Sequence, residues 1–233
     1  MRTFILLVLI SAASARAEMP LQDLLNRLGE AEEKKLAVPG CRVIENSVTE
    51  QLDKEGKSKG RLTRTYEVIR AGTQVVSRKK LSEKEEGDLL SQLKAEPQDQ
   101  KQNEDPRGQL SPFHPQVRDE YQFEQAPGPR EGLVTVKITP RKKDKKRMKG
   151  TAVVEPQTAQ LISMHLSPSE LAPMLDSFQI DFVYGDTPCE RAPTQLQFAG
   201  SGGVLVYKVR FRTQVKVSGH QRLDSAAVGG SGR

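Results

Sequence analysis

Leu21, Leu24, Leu25 and Leu28 recur at i, i+3, i+4 and i+7, with Gln22, Asp23, Asn26 and Arg27 between them. A period of 3.6 gathers those leucines on one side, so the spacing predicts an amphipathic helix from about Pro20 to Lys35. Pro20 suits the first turn and Pro39-Gly40 ends the pattern. From Arg42 the period changes to two. Val43 to Leu52, the turn Asp53-Lys54-Glu55-Gly56, and Leu62 to Ala71 predict a hairpin, and a third strand follows from about Thr73 to Lys80. Val43, Val48, Leu62, Tyr66, Val68 and Val75 are its apolar positions. Ser82-Glu83-Lys84-Glu85 then reads as a capping box, with Leu89, Leu90 and Leu93 as the apolar side of a second short helix over residues 82–95.

The second half alternates almost throughout. Tyr121 and Phe123 are out of phase with Gln122 and Glu124, and Val134, Val136 and Ile138 with Thr135 and Lys137. Phe178, Ile180, Phe182 and Tyr184 share one parity, as do Leu205, Tyr207, Val209, Phe211, Val215 and Val217 near the end. Period two sends each set to one face of a sheet. With roughly ten strands joined by short turns, the expected class is mainly β with few helices (α+β), a single antiparallel sheet wide enough to curl. Its cover would be the two helices and a loop carrying Leu171, Met174 and Leu175. Either such a sheet closes on its own side chains, or it keeps an apolar cavity.

Between the two halves lies EPQDQKQNEDPRGQLSPFHPQ, polar and punctuated by prolines. Strands resume behind it, so residues 96–117 read as a polar insertion within one domain spanning 18–223. Residues 224–233, rich in Gly, Ser and Ala, read as a disordered tail.

The first residues carry an address. Arg2, an apolar run from Phe4 to Ile10, and the small-residue end Ala15-Arg16-Ala17 form the three-part pattern of a secretory signal peptide over residues 1–17. Cleavage is expected after Ala17, giving a periplasmic or secreted protein. A membrane anchor fails on length, because seven apolar residues make about 10 Å of helix against a bilayer core of about 30 Å. Removing Arg2 and Arg16 lowers the net charge from +6 to +4, too little to argue for nucleic acid. The surplus is concentrated in Arg141, Lys142, Lys143, Lys145, Lys146, Arg147 and Lys149, which reads as a solvated loop or as a basic contact surface. Cys41 and Cys189 are the two thiols, and an oxidising compartment would allow them to pair; two separately buried thiols is the alternative.

Motifs for chemistry are missing. His114, His165 and His220 lie in different segments without metal-ligand spacing, and no cysteine pair has the spacing of a metal or redox motif. No nucleophile elbow, phosphate loop or nucleotide fingerprint occurs, so no metal, no cofactor and no enzymatic role is expected. Gly200-Ser201-Gly202-Gly203 reads as a hairpin turn before the last strand, and Glu32-Glu33 and Glu85-Glu86 as exposed helix positions.

The order of these elements, and two local stretches, resemble the outer-membrane lipoprotein carrier superfamily with its LolA/LolB-like fold. "RMKGTAVVEPQTAQLISMHL", Arg147 to Leu166, looks like that family's unit of strand, Thr-containing turn and returning strand, with Val153-Val154-Glu155 and Leu161-Ile162 in the corresponding places. "VTEQLDKEGKSKGRLTRTYEVIRAG", Val48 to Gly72, looks like its long first hairpin. The resemblance implies an incomplete β-barrel whose concave face holds acyl chains beneath a helical lid. The candidate lining is then Tyr121, Phe123, Phe178, Ile180, Phe182, Tyr184, Phe198, Leu205, Tyr207, Val209 and Phe211. The partner would be a lipid or lipoprotein acyl chain, for a carrier or sensor. The chain departs from the pattern in having no Trp, no N-terminal Cys of the anchored receptor type, and the polar insertion. The alternative is a module like the envelope-stress regulators that share this fold. It would have a filled core and would contact an envelope protein through residues 96–117 or the basic run at 141–149.

Overall fold

A computed structural model describes residues 19–37, 40–72, 74–94, 110–204 and 207–223. The expected signal peptide, most of the polar insertion, Leu205 and the C-terminal tail lie outside the described residues. Helix α1 (Leu21–Leu36) leads into strands β1 (Cys41–Leu52), β2 (Ser58–Ala71) and β3 (Gln74–Gly87). Two one-turn helices follow, α2 (Ser91–Lys94) and α3 (Pro115–Arg118). The remaining strands are β4 (Tyr121–Pro127), β5 (Val134–Pro140), β6 (Met148–Glu155), β7 (Gln160–Pro168), β8 (Leu175–Asp186), β9 (Arg191–Val204) and β10 (Tyr207–Arg222).

All ten strands form one antiparallel sheet in the order β3-β2-β1-β10-β9-β8-β7-β6-β5-β4. The last strand in sequence is thus inserted beside the first, and among the described residues β3 and β4 are the edges, so the curled sheet does not close into a barrel. Register shifts on β1, β2, β6 and β8 supply local twist. Gly150 permits one close approach, because a Cβ there would lie 1.9 Å from the carbonyl oxygen of His165 on the neighbouring strand.

The main core sits at the β4–β7 half. Leu24, Leu25 and Leu28 of α1 pack on Val134, Val136 and Ile138 of β5, Ala152 and Val154 of β6, and Leu161, Met164 and Leu166 of β7. The helix is held at both sides: Arg118 donates to the carbonyl of Leu25 at 3.1 Å, and Arg27 to those of Pro156 and Gln157 at 3.2 and 2.8 Å. A Cβ on Gly29 would meet Pro115 Cγ at 3.2 Å, which is how closely the segment around α3 lies on α1.

Four expectations are corrected. Residues 82–87 are strand, since β3 runs to Gly87 and only Ser91–Lys94 turn as a helix. At this edge Glu83 meets Arg64 across the ladder at 2.7 Å, and the strand's charges blunt an exposed edge. The local capping signal loses to cross-strand pairing. Residues 110–117 are not a solvated insertion either: Phe113 and Val117 are fully buried in the main core, and His114 caps α3 by accepting from the backbone N–H of Gln116 at 3.2 Å. Of the loop expected to give cover, Leu171 and Met174 are exposed, Met174 at 67%, and Leu175 is half-buried at the start of β8. Gly200–Gly203 lie within β9, paired to Phe211–Lys208 of β10, and make no turn.

Candidate functional site

The inner face can be followed strand by strand, because directly paired residues of an antiparallel ladder point the same way. Phe123 on β4 pairs with Ile138, and from Val136, two residues along β5 on the same face, the path runs through Ala152, Met164 and Phe182 to Leu196, Val215, Ser47 and Arg64. It changes character along this path. At β4–β7 it is core under α1. Across β7–β9 it is apolar and uncovered, and across β10–β3 charged residues enter it.

The uncovered apolar stretch borders a cavity of about 370 Å³. Its floor is Met148, Met164, Leu166, Ile180, Phe182 and Val217, and Leu110, Ser111 and Pro112 form one wall. The β8–β9 turn closes another side. In that turn Thr187 Oγ1 accepts from the backbone N–H groups of Cys189 and Glu190, each at 3.2 Å. Cys189 is joined by a disulfide to Cys41 at the start of β1, with Cα atoms 6.1 Å apart. Since β10 stands between β1 and β9, the bond carries the turn over the end of β10 and onto the cavity.

The cavity rim is ionic, with Lys35, Arg70 and Arg191 against Glu32 and Glu190. Lys35 pairs with Glu32 at 2.6 Å and stands 5.5 Å above the ring of Tyr184, while Glu190 and Arg191 face it from the turn and β9. Burial pushes the Glu190 carboxyl above its ordinary range, with Lys35 and Arg70 opposing and Glu32 adding to the rise. Burial also raises the Tyr184 phenol, and Glu32 adds to that. It holds the His220 imidazole low, helped by the positive charge of Arg70.

A second cavity, about 440 Å³, continues the groove toward β2 and shares Arg70 with the first. Leu196, Phe198, Phe211 and Val215 line one side of it, and Glu45, Arg64, Arg70, Arg78 and Tyr66 the other. Glu45 is 5% exposed and bridges Arg70 and Arg78, the latter at 3.1 Å. Arg64 donates to Glu83 and, at 2.5 Å, to the carbonyl of Lys94, which seats α2 over this end. A Cβ on Gly200 would meet the Phe211 ring at 2.8 Å, so the glycine in mid-strand makes room for that ring.

The sequence candidates divide accordingly. Ile180, Phe182 and Tyr184 line the first cavity, and Phe198 and Phe211 the second. Tyr121 is packed in the core and Phe123 lies against it, stacked on Phe113 at 5.6 Å. Phe178 leans on Phe211 at 6.4 Å, and Val209 is half-buried on β10. Leu205 and the side chain of Tyr207 are outside the described residues. Glu45, Arg64, Arg70 and Arg78 were missed, and one signal was available: Arg64 and Arg70 share the parity of Leu62, Tyr66 and Val68.

The basic run forms the β5–β6 turn. Arg147 pairs with Glu120, and Lys142, Lys143, Lys145 and Lys146 are accessible to solvent. Ser169 fastens this turn to the next one by accepting from the backbone N–H of Asp144 at 2.9 Å. Among the described residues no cluster of three or more His, Cys, Asp or Glu could hold a metal, and no helix is long and apolar enough to cross a membrane.

No protein-family model matches the chain, and no curated protein does. Among solved structures it is similar to a LolA superfamily protein from Nitrosomonas europaea, at 11% identity over 88% of this chain and 94% of that one, with a TM-score of 0.43. It is similar also to a domain from Vibrio parahaemolyticus named for outer membrane lipoprotein sorting, at 11% identity over 89% and 97% of the two chains, TM-score 0.40. A third is MucB in the MucA/MucB complex of Pseudomonas aeruginosa, at 10% identity over 84% and 93%, TM-score 0.25.

Proposed function

We propose that this chain is a periplasmic binding protein, a carrier or sensor that holds the acyl chain of a lipid or lipoprotein on the apolar part of its concave face. The observation that carries this reading is the 370 Å³ cavity floored by Met164, Leu166, Ile180, Phe182 and Val217, on a sheet that has side chains enough to fill a core elsewhere. The volume falls in the range of small-molecule sites, roughly 300 to 1,000 Å³. An acyl chain brings no hydrogen-bonding groups, which suits a floor of methionine, leucine, isoleucine and phenylalanine. Each buried methylene contributes about 0.8 kcal/mol, so about ten would give about 8 kcal/mol before the cost of ordering the chain. The signal-peptide pattern and a disulfide both suit an oxidising envelope compartment.

The test is native mass spectrometry of the secreted protein purified gently from its own periplasm. The expected result is an additional mass that is lost on denaturation and extracts as lipid. A clean apo mass, together with no uptake of a fluorescent fatty acid, would sink the proposal.

A second reading, a protein-interaction module of the envelope, is favoured by the exposed basic turn at Lys142, Lys143, Lys145 and Lys146, which stands beside the exposed Leu171 and Met174. Reversing those four lysines to glutamate should abolish recovery of one defined envelope partner and leave lipid uptake intact. Unchanged recovery would remove the turn from consideration.

A further inference from the structure

Resting on the acyl-chain reading, we infer that the second cavity receives the anionic head, a phosphate or carboxylate, of the same amphiphile whose chain lies in the first. The cavity lining contains Arg64, Arg70 and Arg78 against the single carboxylate of Glu45. The lining thus has three guanidinium groups to one carboxylate, and Glu83, just outside it, pairs with Arg64 at 2.7 Å. Around the apolar cavity the ratio is lower, with Lys35, Arg191 and the shared Arg70 against Glu32 and Glu190. An amphiphile with a negative head is oriented by this difference, its chain over Phe182 and Leu166 and its head toward Arg64 and Arg78.

The second observation is Tyr66. It is 4% exposed and lines the second cavity, its ring lies 5.2 Å beneath the Arg78 guanidinium, and its hydroxyl has no hydrogen-bond partner among the described residues. A buried hydroxyl without a partner is costly, and a donor held in this state gains more from an acceptor than one already satisfied. The Nε of Arg70, the residue common to both cavities, is likewise buried and unpaired among the described residues. Two buried, unpaired donors and a surplus of guanidinium charge thus belong to side chains that line this one cavity. Ser47, Thr49 and Thr213 complete a lining suited to phosphate or carboxylate oxygens.

The test compares three probes on the full secreted chain by titration calorimetry: tetradecyl phosphate, tetradecanol and inorganic phosphate. The phosphate amphiphile should bind about tenfold or more tightly than the alcohol, as charge-assisted hydrogen bonds allow, and the preference should shrink as salt is raised. Equal affinities would overturn the headgroup inference and leave the acyl-chain reading standing. Binding of neither amphiphile would sink the acyl-chain reading itself. Inorganic phosphate binding as tightly as tetradecyl phosphate would assign an anion site independent of any chain and overturn the proposal. Arg78→Gln should reduce the preference to threefold or less. Because Arg78 also holds Glu45, Tyr66→Phe is the second variant: it should melt at or above the parent temperature and still lose affinity for the phosphate amphiphile selectively. If Tyr66→Phe weakened both amphiphiles equally, or neither, the hydroxyl would have no part in head recognition and the inference would fail.

Discussion

Breaking the Cys41–Cys189 bridge should cost stability on a scale that the chain itself sets. The bond closes a loop of 148 residues. In the chain-entropy account, a loop of that length restricts the unfolded state by about 5 kcal/mol. At about 2 to 4 °C per kcal/mol for a chain of this size, the reduced protein should melt about 10 to 20 °C below the oxidised one. The native ladder does not need the bond to form, because β1 pairs with β10 from Cys41 to Leu52 and β9 pairs with β10 over Gln195 to Val204. The folded state should therefore survive reduction, and the loss should appear as a lower midpoint with native circular dichroism retained at 25 °C. Thermal melts of the oxidised protein, the reduced protein and the Cys41→Ala/Cys189→Ala variant check this, with the last two expected to coincide. Ligand release should also quicken, since the turn that the bond holds down carries Thr187 and Glu190 over the apolar cavity. Coincident melts of oxidised and reduced protein would refute the reasoning.

Phe113→Ala should destabilise by about 3 to 5 kcal/mol in chemical denaturation, as for a large aromatic removed from a packed core; a cost below about 1 kcal/mol would mean the 110–117 segment is not part of that core. Gly150→Ala should cost stability out of proportion to one methyl group, because the added carbon meets the His165 carbonyl, and a hydrogen-exchange map should show β6 and β7 loosened. Glu190 and Glu50 should bend the pH profile in opposite senses. The folded carboxyl of Glu190 lies above its unfolded value of about 4.5, so stability falls as pH rises through that interval, and Glu190→Gln should abolish this decline. Arg212 and then Arg61 hold the Glu50 carboxyl low, so its contribution is present above about pH 4.5 and is lost as pH falls through the lowered value. Glu50→Gln should flatten that acid limb in melts taken from pH 3 to 6.

The sequence makes some of this legible and hides the rest for identifiable reasons. The leucine stripe of α1 and the alternation in β5, β8 and β10 are readable because one face of each element turns to the core or to a cavity and the other to water. Helix α1 occupies Leu21–Leu36, one residue from the expected bounds at each end. The strand character of residues 82–87 is hidden because its cause is not local: Glu83 is satisfied by Arg64, nineteen positions away, and the same letters locally spell a helix start. Phe113 is hidden by averaging, one buried aromatic inside a polar, proline-rich stretch. The arginines of the second cavity are hidden by the rule that charge belongs outside. On β2 the inward parity runs Leu62, Arg64, Tyr66, Val68, Arg70, so charge and core share a face there, and Glu45 on β1 supplies the reason it can be tolerated.

That the concave face holds cavities at all follows from a mismatch of widths. Ten strands set about 4.8 Å apart make a sheet about 43 Å across, whereas α1, with 16 residues, is about 24 Å long and about 10 Å thick. One such helix can cover four strands or so, and it covers β4 to β7. The inner face of the other strands must be shielded by whatever else the chain brings over it. Toward β8 and β9 it brings the 110–112 segment and the disulfide-bound turn, which wall an apolar space without filling it. Toward β2 and β3, among the described residues, it brings only the short α2, and there the face becomes ionic, since arginine can stand in a half-covered groove where leucine would lose its reason to point inward. A helix longer by two turns would remove the distinction between core and cavity. Its shortness leaves an apolar compartment beside a cationic one on a single sheet, which is the arrangement an anionic amphiphile requires.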